Sequence, residues 1–117
     1  MNDISFEYCY TIGGYCTFIV KVISGMFSGA SSFCISESSL KDAISSLNKM
    51  YDSDAGVYRM NDYDSDDFIS VEFQKLGHLC FAGQVGGSHR QQCLKYQFVA
   101  DRSVLSSLIS GLQSMIK

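Results

Sequence analysis

The first quarter of the chain alternates between apolar and polar residues, the pattern of a half-buried antiparallel sheet. Ile4, Phe6, Tyr8 and Tyr10 alternate with polar or small residues, and a second β-rich run covers residues 15–24. A short segment ending in two glycines separates the runs, so together they predict an antiparallel hairpin. Residues 25–32 are predicted to be a loop, followed by a short strand at residues 33–35.

The period changes to that of a helix at about Ser39. Ser39 followed by Asp42 resembles a capping box. A second helix is predicted after Asp101, which can serve as its N-cap. Each helix has an apolar stripe on one face, formed by Leu40, Ala43, Ile44, Leu47, Met50 and Tyr51 in the first and by Val104, Leu105, Leu108, Ile109, Leu112, Met115 and Ile116 in the second.

Strand patterns occupy the region between the two helices. A short strand is predicted at residues 56–60, and three alternating runs at about residues 69–74, 78–85 and 93–98 predict a meander. Strands, helix, strands and helix in this order predict a single α+β domain over residues 1–117. We expect one largely antiparallel sheet of five or six strands, with the two amphipathic helices packed on one face.

Composition narrows the class of protein. The 117 residues include no proline and carry a net charge of −3. Because the nine basic residues form no cluster, nucleic-acid binding is disfavoured. The start of the chain lacks a basic n-region and no apolar run approaches the ~18 residues of a membrane span, so neither a secretory signal nor membrane insertion is expected. Five cysteines without a C-x-x-C pair indicate reduced thiols in the cytoplasm.

The most unusual feature is an acidic segment, residues 52–67, which holds half of the twelve acidic residues. One interpretation is a solvated, flexible loop that aids solubility. The other is a docking surface for a basic partner, in which interleaved tyrosines (Tyr51, Tyr58 and Tyr63) supply aromatic contacts of the kind enriched at interfaces. Complementary charge would speed encounter and discriminate between partners.

Two ligand-binding alternatives compete with the docking surface. Asp62, Asp64 and Asp66 match the first, third and fifth ligand positions of a helix-loop-helix calcium loop, but Asp67 stands where glycine is required and strand patterns flank the segment. His78 and Cys80 lie two apart on one predicted strand and could line a small-molecule or metal site. The chain lacks the paired spacings of structural zinc sites, and no nucleophile with its base can be specified, so we expect no metal, no cofactor and no catalysis.

Several spacings along the chain are similar to those of a known family. Phe27-Ser28-Gly29 precedes a helix with Leu40 and Leu47 seven apart, a meander contains Leu76-Gly77 and Gly83, and Phe98-x-x-Asp101-x-x-x-Leu105 opens the terminal helix. The chain thereby resembles the small immunity proteins of bacterial polymorphic toxin and contact-dependent growth inhibition systems, especially those paired with wall-associated toxins.

The resemblance implies a cytoplasmic, non-catalytic protein, a monomer or weak dimer, that covers the active site of a toxin's C-terminal domain. Such toxins are often nucleases with basic surfaces, so the acidic segment would mimic nucleic acid. Charge and aromatic content, not the family, then predict the toxin-binding residues Asp52, Asp54, Tyr58, Asp62, Tyr63, Asp64, Asp66 and Asp67. If loop charges are exposed, the fold should survive simultaneous replacement of Asp62, Asp64, Asp66 and Asp67 by lysine.

Overall fold

The computed structural model describes residues 2–116 and has the predicted α+β order of elements. The elements are β1 (Asp3–Ile12), β2 (Tyr15–Ser24), β3 (Phe27–Ser36), α1 (Glu37–Ser53), β4 (Val57–Asn61), β5 (Phe68–Phe73), β6 (Leu79–Val85), β7 (Leu94–Ala100) and α2 (Arg102–Gln113), with a 3-10 turn at Lys75–Gly77 between β5 and β6. The expectation of one sheet is wrong, because the strands form two antiparallel sheets. The first sheet has the order β1-β2-β3 and the second β4-β5-β6-β7.

The predicted loop at residues 25–32 is also wrong, because most of it belongs to the long third strand. β3 pairs with β2 along all ten of its residues, so only a tight turn at Gly25 and Met26 remains of the predicted loop. Serine, glycine and alanine dominate its first half and have low strand propensity, which conceals the strand in the sequence. Small residues suit this place, because a β-carbon at Gly29 would lie 3.2 Å from Val85 Cγ2 in the second sheet.

A β-bulge interrupts β1 where the sequence suggested uniform alternation. Tyr8 lies opposite Phe18, but Tyr10 lies opposite Thr17, with the register shift between the two tyrosines. Directly paired residues share a face of a sheet. Tyr8 therefore lies on the inner face with Phe18, whereas Tyr10 lies on the outer face. The spacing had predicted that Tyr10 would share the face of Ile4 and Phe6.

The two helices begin at side-chain caps, one of which was predicted. Asp101 caps α2, its carboxylate accepting a hydrogen bond from the Ser103 amide at 2.9 Å. α1 begins earlier than expected, because Ser36 Oγ accepts a hydrogen bond from the Ser39 amide at 3.1 Å. The predicted capping role of Ser39 is wrong, since this residue donates to the cap.

One hydrophobic core joins both sheets and both helices. It includes Phe18 and Phe33 from the first sheet, Phe81 from the second, Leu47 from α1 and Leu105 from α2, all essentially inaccessible to solvent. α2 packs closely beside β1, where a β-carbon at Gly111 would lie 3.3 Å from the Phe6 ring. This arrangement brings the loop between β4 and β5 against the edge strand β3 of the first sheet.

Candidate functional site

The acidic segment does not form one continuous surface. Asp52 and Asp54 lie at the end of α1, whereas the other four aspartates lie in the loop between β4 and β5, residues 62–67, which we call the acidic loop. β4 separates the two groups by its five residues, roughly 17 Å at 3.3 Å per residue. Asp54 adopts a left-handed conformation and forms an ion pair with Arg102 of α2. The acidic loop holds four of the six aspartates.

Asp67 is buried and serves as an acceptor for three other segments. Its side chain is only 3% exposed. The carboxylate accepts hydrogen bonds from Ser31 Oγ on β3 at 2.9 Å, Gln84 Nε2 on β6 at 3.0 Å, and the amides of Gly86 and Gly87 at 3.0 and 2.8 Å. A buried carboxylate is tolerated where donors surround it in this way. Asp67 therefore holds both sheets to the loop that follows β6.

Asp66 is exposed but is also held by hydrogen bonds. Gln84 Nε2 donates to its carboxylate at 3.0 Å and the Ser88 amide at 3.1 Å, and the Ser88 hydroxyl donates as well. These bonds, those from Ser88 above all, lower the pKa of Asp66 to about 2. Stabilisation of the ionised form keeps this carboxylate charged under more acidic conditions than an ordinary aspartate.

Asp62 attaches the acidic loop to the edge of the first sheet. Its Oδ1 accepts a hydrogen bond from the Cys34 amide at 2.8 Å, and the next residue, Tyr63, donates its amide to the Cys34 carbonyl at 2.9 Å. Ser65 Oγ donates to Asp62 Oδ2 at 2.6 Å and accepts from the Asp67 amide at 3.1 Å. The loop thus provides hydrogen-bond partners for both the amide and the carbonyl of Cys34 and lies along the free edge of β3.

The interpretation of the acidic segment as a solvated loop does not hold for two aspartates of the acidic loop. Asp62 is 8% exposed and Asp67 is 3% exposed. Lysine at either position would place an ammonium group among hydrogen-bond donors, so the variant with all four aspartates changed to lysine is expected to unfold rather than keep its fold. Two of the predicted binding residues are structural acceptors, and the premise that all four charges face water does not hold.

The other predicted residues differ in how much of each side chain faces solvent. Tyr63 is 70% exposed, and Asp52 and Asp64 are also exposed. Tyr58 is half-buried on β4 and packs against the core, and this burial raises the pKa of its hydroxyl above the usual value. Tyr63 and Asp64, adjacent in the chain, place an exposed aromatic ring beside an exposed carboxylate.

Sequence reasoning missed a group of apolar side chains beside the acidic loop. Tyr15 lies opposite Ile12 in the sheet, and its ring centroid is 5.1 Å from that of Tyr63. A side-chain hydrogen bond with Tyr63 raises the pKa of Tyr15 above its usual value. With Tyr10, these residues form what we call the tyrosine patch, with exposed fractions of 52% for Tyr10, 69% for Ile12, 38% for Tyr15 and 70% for Tyr63.

A sequence signal for the tyrosine patch did exist. Ile12 and Tyr15 flank the predicted glycine turn, where a hairpin places the ends of its two strands opposite each other. An apolar pair beside an exposed turn indicates a surface patch. No local signal indicates the bulge that turns Tyr10 outward. The same is true of the contact between Tyr15 and Tyr63, which are forty-eight residues apart.

The ligand-binding alternatives gain no geometric support. Within residues 2–116, no group of three or more His, Cys, Asp or Glu side chains is placed to hold a metal ion. His78 is exposed just before β6, and Cys80 is half-buried on β6 opposite Glu72 and Val99. The side chains of Asp62 and Asp66 point to different hydrogen-bond donors, not to a shared centre.

Comparison with known proteins gives one match. The model of the Immunity protein WapI-like family matches residues 7–117. No curated protein and no solved structure matches the chain. The matched range contains the acidic loop, both helices and all but the first residues of β1. Neither helix in the described part of the chain is both long and apolar enough to span a membrane.

Proposed function

Because the chain belongs to the WapI-like immunity protein family, we propose that it neutralises a cognate toxin by binding the toxin's C-terminal domain in the cytoplasm and covering its active site. The protein acts by stoichiometric binding and catalyses no reaction. The toxin domain that fits best is a nuclease, because an enzyme that binds the phosphate backbone presents a basic surface. The partner is thus a basic protein surface.

The observation that carries this proposal is the placement of Tyr63 and Asp64. Both side chains are exposed, while their neighbours Asp62 and Asp67 fix the backbone of the acidic loop through hydrogen bonds to β3 and to the loop after β6. An ordered loop loses little conformational entropy on binding. The acidic loop can therefore present a negative charge and an aromatic ring to a basic surface without reorganisation.

The predicted residues take different parts in this proposal. Asp64 and Tyr63 contact the toxin directly, and Asp66 adds a negative charge held in place by its hydrogen bonds with Gln84 and Ser88. Asp62 and Asp67 position the acidic loop. Three predicted residues lie outside the acidic loop: Tyr58 on β4, and Asp52 and Asp54 at the end of α1. They contact the toxin only where it extends that far.

The test is capture of the partner followed by protection from it. The tagged protein is used to capture its partner from the native host, and the captured C-terminal domain is expressed in a bacterium with or without the protein. We expect the wild-type protein to restore growth. A wild-type protein that captures no toxic domain, or fails to restore growth in the presence of the captured one, contradicts the proposal.

Charge reversal tests the acidic loop. Asp64→Lys should weaken binding roughly tenfold and reduce its salt dependence, since long-range attraction between charges is screened by salt. Glu72→Lys is the matched control, because Glu72 is exposed on β5 at the end away from the loop and the substitution changes net charge equally. Equal effects of the two variants would show that net charge matters and the position of Asp64 does not.

A further inference from the structure

The tyrosine patch is an unusual surface for the outer face of a small sheet. Single exposed apolar residues are common on proteins, but a contiguous group of them marks an interaction site more often. In the patch, Tyr10 and Ile12 follow each other on one face of β1, Ile12 lies opposite Tyr15, and Tyr15 contacts Tyr63. The group therefore joins the first sheet to the acidic loop in one surface.

Backbone contacts fix the two parts of the patch relative to each other. The Tyr63 amide donates to the Cys34 carbonyl at 2.9 Å, and Cys34 pairs with Thr17, two residues from Tyr15 on β2. Ile12 and Tyr15 close the hairpin between β1 and β2. Large tyrosine rings held in this way resemble the residues that contribute most to protein interfaces, which are enriched in aromatic side chains.

An acidic group lies beside the patch. Asp64 follows Tyr63 in the chain and is exposed. Two ion pairs occur among the described residues, Lys21 with Glu7 and Arg102 with Asp54, and neither involves Asp64. The Asp64 carboxylate is therefore available to pair with a positive charge from another molecule.

This combination selects one kind of partner. Tyrosine rings bind cationic side chains, arginine above all, through cation–π contacts. An aromatic centre with a negative rim is complementary to a basic surface that carries arginine and apolar side chains. A second copy of this chain is a poorer fit, because a symmetric contact would place the same acidic groups near each other.

We propose that the tyrosine patch is the apolar centre of the toxin-binding surface, with Asp64 pairing with a basic side chain of the toxin at its rim. This inference rests on the proposed function and moves the centre of binding from the acidic loop to the outer face of the first sheet. Tyr10, Ile12 and Tyr15, which charge alone did not indicate, become binding residues.

The experiment compares two double variants that remove exposed apolar side chains from opposite ends of the first sheet. Ile12→Ser with Tyr63→Ala disrupts the patch. Met26→Ser with Phe27→Ser changes the turn between β2 and β3, where both residues are also largely exposed. The probe is the toxin domain captured by the wild-type protein, purified in a catalytically inactive form, and Kd is measured by calorimetry.

We expect the patch variant to raise Kd roughly 30-fold or more, as for loss of an interface hot spot, and to lose protection of growth. The turn variant should bind and protect like the wild type. Both should keep the wild-type melting temperature within a few degrees, because all four side chains are exposed. Tyr63→Phe, which keeps the ring, should bind nearly as well as the wild type.

Each other result has a distinct meaning. If the wild type binds and protects and the patch variant does so equally, the patch inference is overturned while the proposed function stands. If the patch variant instead changes the oligomeric state in sedimentation without changing toxin affinity, the patch is a self-association surface and the inference is again overturned. If the wild type neither binds nor protects, both proposals fail together.

Discussion

Asp67 accepts a hydrogen bond from the Gly86 amide at 3.0 Å across nineteen residues of chain. The same carboxylate receives the Gly87 amide, so the acidic loop and the loop after β6 share one buried charge. If the carboxylate is removed, both backbone amides lose their hydrogen-bond acceptor while they remain in this site. Asp67 is thus a determinant of stability in a segment whose composition suggested only surface charge.

Asp67→Ala is expected to lower the free energy of unfolding by about 3 kcal/mol, because two backbone amides and two side-chain donors lose their acceptor. Urea denaturation followed by circular dichroism measures the change. Asp64→Ala, in the same loop but exposed, is the control and should change stability by less than about 0.5 kcal/mol. Similar losses in the two variants would refute the structural role assigned to Asp67.

The pH dependence of folding should reveal the contact between Asp66 and Ser88. The folded pKa of Asp66, about 2, lies below its usual value of 3.8, so the ionised carboxylate favours the folded state. This contribution is complete above about pH 4 and is lost as the pH falls towards 2. Removing the Ser88 hydroxyl should raise the pKa of Asp66 and lessen the decline in stability over that interval.

Carboxyl-detected NMR titration of the wild type and of Ser88→Ala measures the shift directly. The Ser88 amide still donates in the variant, so part of the depression should remain. An Asp66 carboxyl that titrates at the same pH in both proteins would show that the hydroxyl contributes nothing.

A close approach between β6 and its neighbours makes Gly83 irreplaceable. A β-carbon there would lie 2.2 Å from the Phe68 carbonyl oxygen and 2.5 Å from the Tyr96 hydroxyl. Gly83→Ala should cost about 3 kcal/mol of stability through this overlap. Chemical denaturation tests it, and the double variant with Tyr96→Phe should remain destabilised because the overlap with the backbone oxygen persists.

The buried Tyr96 hydroxyl, in the same region, allows a separate test of stability. It is buried without a hydrogen-bond partner among the described residues, and burial, with a smaller effect of the Asp67 charge, raises its pKa. Because an unsatisfied buried hydroxyl is unfavourable, Tyr96→Phe alone should raise the free energy of unfolding by about 1 kcal/mol. A clear loss of stability would mean that the hydroxyl has a partner in solution.

Local patterns predicted most of the elements correctly. The alternation of residues 69–98 and the cap at Asp101 gave the meander and α2, because these features depend on near neighbours in the chain. The sequence predicted only residues 33–35 of β3, since the small residues of its first half have low strand propensity and its pairing is set by β2. The division into two sheets is equally non-local, because alternation assigns faces to strands and not neighbours.

The candidate site was predictable in composition but not in geometry. The sequence displays the charges of Asp62 and Asp67, yet their hydrogen-bond donors include Cys34, Gly86 and Gly87, which lie far along the chain. Tyr63 and Asp64 were identified correctly as accessible groups. The resemblance to immunity proteins, based on spacing alone, is confirmed by the family match over residues 7–117.

The acidic loop begins and ends at a buried aspartate, and the four residues between these two aspartates are exposed, which bears on how partner choice can change. Asp62 and Asp67 hold the backbone through hydrogen bonds to Cys34 and Gly86, while the side chains of Tyr63 and Asp64 are exposed. New side chains at positions 63 and 64 would alter recognition with little effect on folding. Under the proposed function, the residues that determine toxin specificity are therefore different from the residues that hold the acidic loop in place.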